Sequence, residues 1–509
     1  MIVHPNKKQI LRTSQKNNDD SNKNNSCLIL STSSINNGVR NVGAYRIASF
    51  LRTHGWQCTV ADYIDLWNTQ DLRAYLKRHI NEDTKWIGIS FTWIPLSEDK
   101  EQSLAHIQDV IRFIKSIRLD ILIIAGGMTP YENNLEVDYY VYGYAEKVIL
   151  QILNYKFNKG PPIVFTNKFR GKFIDAIHTH PAYNLPTYEV QYQDDDFLSD
   201  KEPLIIEFSR GCKFQCDYCT FPFIGIKEDT STSEENLYRE LMTNYERWGI
   251  KTYQVADETI NDRVEKLEKI RNVVKRLDFE PDFCAFTRID LFRSHPEKIE
   301  LMAESRIWGH FYGIETFNHA SGKAVGKGQN PDYVKESLLK VKDYFLKYLG
   351  KYRGTASMIA GLPYESIDSM RQSHQWFLEN WQDQSVIWNV LNIVNNGKLS
   401  AMGKDFTKYG YEFLDTWDGR KIDSHVLSGN TIVYWKNQYT NILEVEDIVK
   451  NEFQYEKIFH LCGLKLMRIT PIIPYEQSKT IKLDFSTHLT IGSTLNDRVN
   501  NYIEKKKNS

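Results

Sequence analysis

Three cysteines most constrain this chain. Cys212, Cys216 and Cys219 stand in C-x3-C-x2-C spacing directly after a predicted strand. Thiolates are the ligands of iron–sulfur clusters, and a four-iron cluster takes four ligands. Three thiolates in one short loop therefore predict a cluster with one iron that no protein side chain holds, and an open metal position is where substrate or cofactor binds. The alternative is a structural zinc site with a distant fourth ligand. The strand context and the aromatic Tyr218 favour the iron–sulfur cluster.

The other four cysteines are not clustered and are interpreted differently. Cys27, Cys58, Cys284 and Cys462 are scattered, which in a reducing compartment predicts packing rather than metal binding. The polar residues 1–25 lack the apolar segment of a signal peptide, so we predict a disordered tail and a cytoplasmic location. No run of about 20 apolar residues occurs, so no membrane-spanning helix is predicted.

The balance of charged residues limits which classes of binding partner are expected. The 64 Lys and Arg residues nearly cancel the 65 Asp and Glu residues. This balance excludes a wholesale electrostatic grip on nucleic acid or on an anionic membrane, and it leaves a local basic patch open.

The chain is long enough for two or three domains, and its first ordered part alternates strands and helices. Over residues 26–155 this rhythm predicts a flavodoxin-like or Rossmann-like, doubly wound parallel sheet of the α/β class. Such sheets bind ligands beyond the carboxyl ends of their strands. We therefore expect the loops after Ser31, Phe91 and Ala125 to line any pocket.

A second alternating series follows a connector. Glycine, proline and aspartate residues break the rhythm over residues 156–202, which predicts a surface connector. Six strand–helix units over residues 203–393 are too few for a closed eight-fold barrel and predict a partial (β/α)6 barrel, open on one side. Residues 394–509 are expected to form a C-terminal extension of mixed structure. Its aromatic residues either close the barrel mouth or pack internally; they are Trp417, Tyr434, Trp435 and Tyr439.

The segment over residues 206–222 resembles the radical S-adenosylmethionine (SAM) superfamily, whose hallmark is C-x3-C-x-aromatic-C, and the resemblance covers about residues 203–393. In that family the open iron of a [4Fe-4S] cluster is chelated by SAM. An electron from the cluster then cleaves a C–S bond, which yields methionine and a 5′-deoxyadenosyl radical that abstracts hydrogen from substrate. The resemblance implies both cofactors, with Cys212, Cys216 and Cys219 as cluster ligands, and an electron donor such as a flavodoxin or ferredoxin.

Polar and small residues at later strand ends match the family's SAM contacts. Asp257 and Glu258 stand where the family binds the SAM ammonium, although an acidic helix start is the alternative interpretation. Arg288 and Glu315 correspond to contacts with the SAM carboxylate and ribose, and Gly361 would let the backbone approach adenine. The predicted cofactor-binding residues are Tyr218, Asp257, Glu258, Arg288, Glu315 and Gly361. No catalytic side chain is identified.

The N-terminal domain resembles the cobalamin-binding class of this superfamily, through Gly126-Gly127 and the segment from Gly143 to Glu146. The D-x-H-x-x-G motif that supplies a histidine to cobalt is missing, so cobalamin binding stays open. With cobalamin, the implied reaction is methylation of an unactivated carbon. The alternatives are a cobalamin-independent rearrangement, oxidation or cyclisation, and a non-enzymatic cobalamin sensor. Small molecules, lipids, peptides and nucleotides remain open as substrates, and the oligomeric state is not predicted.

Overall fold

The computed structural model describes most of the chain, and the statements below concern those residues. They are 25–32, 40–90, 100–127, 135–163, 173–176, 189–200, 202–219, 231–394, 400–417, 420–421, 426–427, 430–453 and 485–509. Nearly all of the tail expected at residues 1–25 lies outside them, as do Cys462 and the Trp417 side chain.

The N-terminal part forms a parallel sheet with strand order β2-β1-β3-β4-β5-β6. Its strands are β1 (Ser26–Ser31), β2 (Gln57–Ala61), β3 (Thr84–Ser90), β4 (Leu122–Gly127), β5 (Tyr139–Tyr142) and β6 (Phe173–Asp175). The last of these adds an edge strand from within the predicted connector. A strand of three residues is too short to show an alternating pattern, so the sequence does not reveal it.

Helices cover both faces of this sheet, as a doubly wound fold requires. They are α1 (Val42–Arg52), α2 (Thr69–His79), α3 (Lys100–Ile117) and α4 (Glu146–Phe157). Successive side chains of β1 point to opposite faces, so Cys27 and Ile29 join one core cluster while Leu28 and Leu30 join the other. The first cluster includes side chains of α1 and α4, and the second includes side chains of α2 and α3.

The second parallel sheet has strand order β12-β11-β10-β9-β8-β7, so each strand neighbours the next one along the chain. Its strands are β7 (Leu204–Ile206), β8 (Thr252–Val255), β9 (Asp282–Thr287), β10 (Ile307–Glu315), β11 (Arg353–Ala360) and β12 (Ser385–Val390). The first and last strands are the two edges, which confirms the predicted six-unit barrel with an open side.

Helices connect these strands. They are α5 (Glu234–Trp248), α6 (Val264–Arg276), α7 (Leu291–Ser294), α8 (Glu297–Glu304), α9 (His319–Ala324), α10 (Pro331–Leu349) and α11 (Ile367–Asn380). The residues at the two ends of helix α10 explain where it begins and ends. Asn330 caps its first turn through Asp332, proline stands at its first position, and Gly350 ends it in the left-handed region at φ 69°.

The C-terminal extension combines short strands with helices α12 (Ala401–Lys404), α13 (Ile442–Asn451) and α14 (Phe485–Asn508). Helix α14 returns to the N-terminal domain, where Tyr502 and Ile503 join the core cluster that contains α2 and α3. The Tyr502 hydroxyl accepts a 2.8 Å hydrogen bond from the Asp62 backbone. Lys506 is buried against Asp195, with 2.9 Å between its ammonium and the carboxylate. Among the described residues, no helix is long and apolar enough to cross a membrane.

Candidate functional site

The cysteine loop follows β7 at the carboxyl end of the barrel. Gly211 turns the chain just before it at φ 97°, a left-handed conformation that favours glycine. A 3.0 Å hydrogen bond from the Cys219 backbone to the Cys216 carbonyl closes the loop. None of the three cysteines is in a disulfide; Cys216 is buried, and Cys212 and Cys219 are half-buried. Three thiols in one loop are a donor set suited to an iron–sulfur cluster.

No three His, Cys, Asp or Glu side chains in the described part of the chain group closely enough to hold a single metal ion. The three thiols therefore belong to one loop without forming a compact mononuclear site.

Asp257 anchors the segment that leads into this loop. One carboxylate oxygen accepts hydrogen bonds from the Phe208 and Ser209 backbones, both at 2.9 Å. The other accepts from the Ser209 hydroxyl at 2.6 Å and lies 3.3 Å from the Lys266 ammonium. Four partners thus occupy a fully buried carboxylate. Asp257 fixes the loop entrance, and its contact with SAM stays a prediction.

Glu258 has a different environment from its neighbour. Its Oε2 atom is buried and has no hydrogen-bond partner among the described residues. Burial, reinforced by the negative charge of Asp257, raises the pKa of Glu258 to about 7. Of this predicted pair, Glu258 is therefore the residue with a carboxyl oxygen still available to a ligand.

Arg288 contacts the cysteine loop directly. Its Nη1 atom donates to the Cys216 sulfur at 3.5 Å, and its Nη2 atom pairs with Asp290 at 2.8 Å. The guanidinium also lies over the Phe214 ring, 3.9 Å from the ring centre. Hydrogen bonds to cluster sulfurs tune iron–sulfur sites. The structure therefore shows a thiol contact for Arg288, while the predicted contact with the SAM carboxylate stays a prediction.

Tyr218 and Glu315, both predicted as cofactor-binding residues, lie together. The Tyr218 hydroxyl donates to Glu315 Oε1 at 2.8 Å, and Lys327 donates to the same oxygen at 2.9 Å. Glu315 adopts φ 71°, a conformation that costs energy for a residue with a side chain. A Cβ at Gly313 would lie 2.6 Å from the Glu315 carboxylate, so the glycine makes room for it. Strain of this kind clusters at functional sites.

Gly361 supports the C-terminal extension. Its φ is 91°, and a Cβ here would collide with the Trp435 ring. Trp435 is fully buried and donates to the Leu391 carbonyl at 2.8 Å, while the Tyr411 hydroxyl donates to the Gly361 carbonyl at 2.6 Å. The glycine thus lets the extension pack onto the end of β11, and its predicted approach to adenine stays a prediction.

A buried ion-pair network, not foreseen from the sequence, joins the barrel to the N-terminal domain. Arg210 pairs with Glu146 of α4 at 2.8 Å and with Glu207 at 2.9 Å, and Arg46 of α1 pairs with Glu207 at 2.9 Å. The Arg210 guanidinium also covers the Tyr144 ring, 4.3 Å from its centre. Burial alone would raise the pKa of Glu207, but Arg210 and Arg46 hold it at about 2. The order of charged residues along the sequence did not predict these ion pairs, because the paired residues are far apart in the chain.

The expected pocket loops of the N-terminal sheet, over residues 33–39, 91–99 and 128–134, lie outside the described residues. The described residues at the carboxyl ends of these strands are polar. Thr32 donates to the Ser90 carbonyl at 3.1 Å, and Asn41 donates to the Ser90 hydroxyl at 2.7 Å. These groups stand at the carboxyl ends of β1 and β3, where such sheets bind ligands.

Comparisons with known proteins agree with this architecture. Residues 206–377 match the radical SAM superfamily. The hopanoid C-2 methylase of Rhodopseudomonas palustris is 28% identical over 296 residues, which cover 57% of this chain and 52% of that protein. An uncharacterized methyltransferase of Pyrococcus horikoshii is 25% identical over 183 residues, which cover 36% and 38%. The chain thus spans about half or less of the curated relatives it matches.

Two solved structures share the fold. One is TsrM, a radical SAM methyltransferase from Kitasatospora setae with cobalamin and a [4Fe-4S] cluster bound; it has a TM-score of 0.61 and 13% identity over 77% of this chain and 81% of that one. The other is OxsB, a cobalamin-dependent SAM radical enzyme, with a TM-score of 0.56 and 14% identity over 71% and 53%. At these identities the likeness concerns the fold.

Proposed function

Because this chain is a radical SAM enzyme with an N-terminal cobalamin-binding-like domain, we propose that it methylates an unactivated carbon of its substrate in a cobalamin-dependent reaction. One observation carries the proposal. The buried Arg210–Glu146 pair joins the start of the cysteine loop to α4 of the N-terminal domain, which supports a fixed distance between the cluster loop and the domain that would hold cobalamin. A methyl transfer between cofactors and substrate needs such fixed proximity.

When bound, the cluster, SAM and cobalamin supply hydrogen-atom abstraction and the methyl group. The chain's own residues bind, orient and exclude water. Cys212, Cys216 and Cys219 hold the cluster. Asp257 keeps the entrance of their loop in place through the Ser209 hydrogen bonds.

We assign the SAM ammonium to Glu258, because its Oε2 atom lacks a partner among the described residues. The pair of Tyr218 and Glu315 lies between the cysteine loop and the end of β10, which suits a contact with the SAM ribose. Lys327 fixes the orientation of that carboxylate. Arg288 is assigned to the cluster loop, with its carboxylate contact as a secondary role.

For the substrate, a lipid is the first class to test. The support is the partial sequence similarity to a hopanoid C-2 methylase, which spans 57% of this chain. The other three classes remain candidates, since the similarity does not extend over the whole of either protein.

The test is anaerobic purification with cobalamin supplementation and cluster reconstitution, followed by iron, sulfide and corrinoid analysis and a SAM-cleavage assay. We expect a four-iron cluster, bound corrinoid and release of 5′-deoxyadenosine under reducing conditions. Absence of 5′-deoxyadenosine from a fully loaded protein would refute the radical reaction. SAM cleavage without any bound corrinoid would replace methylation by the cobalamin-independent alternatives. Bound corrinoid without iron would favour a cobalamin sensor.

A further inference from the structure

Two cysteines that are far apart in the sequence meet in the N-terminal domain. Cys27 and Cys58 are register partners on the parallel strands β1 and β2, and their sulfur atoms lie 2.7 Å apart. Both side chains join the core cluster that contains α1 and α4, so they point to the same face of the sheet. Neither is in a disulfide, and the proposed radical reaction uses neither.

The backbone around the two cysteines already has a spacing that a disulfide can bridge. Neighbouring strands lie about 4.8 Å apart, which falls within the roughly 4.4–6.8 Å that separates the Cα atoms of bridged cysteines. The two sulfur atoms need to approach by only about 0.7 Å to reach the covalent distance of about 2.05 Å. A bond between Cys27 and Cys58 is therefore compatible with the observed register of β1 and β2.

The pair lies at the edge of the sheet, where a small molecule can reach it. Strand β2 is an edge strand, and Cys58 is its second residue, next to the exposed Gln57. The side chains of Cys27 and Cys58 are only 3% and 6% exposed, so access requires β2 to open. An edge strand opens locally at a lower free energy than a central strand, because only one neighbouring strand holds it.

Two opposing influences act on these thiols. Burial, reinforced by the neighbouring Cys58, raises the pKa of Cys27 well above its usual value, while the Arg52 guanidinium acts against this shift. Arg52 binds the Cys58 carbonyl through Nε at 3.0 Å and Nη2 at 2.6 Å, which places its positive charge beside the pair. Cys27 therefore stays protonated in the closed domain. When β2 opens and water enters, the nearby cation favours the thiolate, which is the reactive form.

We propose that Cys27 and Cys58 form a reversible oxidation site, at which hydrogen peroxide generates a disulfide that locks the edge strand β2 to β1. The Cys58 thiolate attacks one peroxide oxygen, the O–O bond breaks, and a sulfenic acid and hydroxide form. The Cys27 sulfur then attacks the Cys58 sulfur, the S–O bond breaks, and the S–S bond forms. The two cysteines lose two electrons, the peroxide gains them, and the two thiol protons end in two molecules of water. Because the second sulfur is adjacent, it traps the sulfenic acid before further oxidation.

The test treats the reconstituted full-length protein with hydrogen peroxide and maps its cysteines by mass spectrometry after non-reducing digestion. We expect a peptide that links Cys27 to Cys58, at least tenfold more abundant than in the untreated protein and lost again on treatment with dithiothreitol. Hydrogen exchange of the β2 backbone should slow several-fold in the oxidised wild type. Cys58→Ala and Cys27→Ala should each show neither change. Cys284→Ala is the matched control at a cysteine that is fully buried in β9, and it should show both changes.

Several results would overturn the oxidation site. One is a wild type in which Cys27 and Cys58 both remain available to an alkylating reagent after peroxide treatment. Another is linkage of either residue mainly to Cys284 or to the cysteine loop, which is the pattern expected of an unfolded chain. A linked pair that leaves hydrogen exchange in β2 unchanged would refute the lock. None of these measurements depends on SAM cleavage, so their failure is distinct from failure of the proposed function.

Discussion

Arg210 donates a 2.8 Å hydrogen bond to Glu146, and this contact joins the residue two positions before Cys212 to the first turn of α4 in the other domain. Both side chains are buried, with 5% and 3% of their surface exposed. A buried charge without its partner is costly, so we expect the pair to favour the observed arrangement of the two domains.

Replacing one partner should therefore disturb the junction. We expect Glu146→Gln to destabilise the protein by about 3 kcal/mol, because Arg210 would lose one of its two carboxylates in a buried setting. The matched control is Glu136→Gln, whose pair with Arg112 is exposed and should contribute less than about 1 kcal/mol. Thermal unfolding of both variants checks this. Equal shifts in the two variants would contradict the role of the junction.

The cluster assignment predicts complete loss of metal on removal of a ligand. Alanine in place of Cys212, Cys216 or Cys219 should abolish both iron and sulfide after reconstitution. Cys284→Ala is the control, since Cys284 is fully buried within β9 and belongs to the core. Iron and sulfide analysis with electron paramagnetic resonance gives the answer. A wild-type iron content in all three loop variants would rule out the assigned ligands.

The contact between Arg288 and Cys216 predicts an effect on electron affinity. Arg288→Gln removes a positive charge and alters an N–H donor 3.5 Å from the sulfur, so the reduced cluster loses stabilisation. We expect its reduction potential to fall by several tens of millivolts in a potentiometric titration followed by electron paramagnetic resonance. Arg293→Gln is the same change at an arginine that contacts the Tyr333 ring, and it should leave the potential nearly unchanged. A similar fall in both variants would argue for a general charge effect.

The Tyr218–Glu315 contact predicts a selective effect on cofactor affinity. Tyr218→Phe removes the 2.8 Å hydrogen bond and leaves Lys327 as the remaining partner of the carboxylate. We expect SAM binding to weaken by about 1 kcal/mol, roughly five-fold, with the iron content unchanged. Titration calorimetry of the reconstituted protein measures this. Tyr348→Phe, at a tyrosine 52% exposed on α10, should bind SAM as the wild type does; a matching loss there would remove the basis of the assignment.

Glu365 predicts a pH dependence of stability. It is fully buried, one carboxyl oxygen accepts a 2.7 Å hydrogen bond from Thr316, and burial raises its pKa to about 8. The folded protein then binds this proton more tightly than the unfolded chain, whose glutamate pKa is about 4.3. The stabilisation is complete below about pH 4.3 and is lost as the pH rises through about 8, by up to roughly 5 kcal/mol.

Glu365→Gln should remove this loss, because the amide keeps the shape of the protonated acid without titrating. Thermal unfolding at about pH 6 and about pH 9 compares the two proteins, and the difference between them should grow toward alkaline pH. A parallel decline in the wild type and the variant would show that other groups set the pH dependence.

The sequence predicts the strands of both sheets well where hydrophobic patterns are long. The structure has β9 at Asp282–Thr287 and α10 at Pro331–Leu349, both within the strand–helix series predicted over residues 203–393. Helix α2 was not predicted, because only three of its eleven residues are buried: Leu72, Tyr75 and Leu76. Its short apolar stripe lies in an otherwise polar segment, which gives too weak a periodic signal.

Within the site, residue type and position were predictable, while orientation was not. The three cysteines can be recognised from their spacing alone, and their loop follows β7 as expected. The direction of Arg288 toward Cys216 depends on Asp290, and the position of Glu315 depends on a left-handed backbone next to Gly313. Those are tertiary properties, and the domain boundaries and SAM contacts inferred from the sequence remain predictions.

The return of α14 to the first domain also sets the order of events during synthesis. Tyr502 contacts Asp62 across 440 residues of chain, and the face of β1 that carries Leu28 and Leu30 shares its core with Tyr502 and Ile503. A ribosome releases the N-terminal sheet long before it releases the helix that completes its cover. Helices α2 and α3 can cover most of that face early, but the part that Tyr502 and Ile503 cover must stay exposed, or be shielded by a chaperone, until the barrel has been made, because contacts this distant form late.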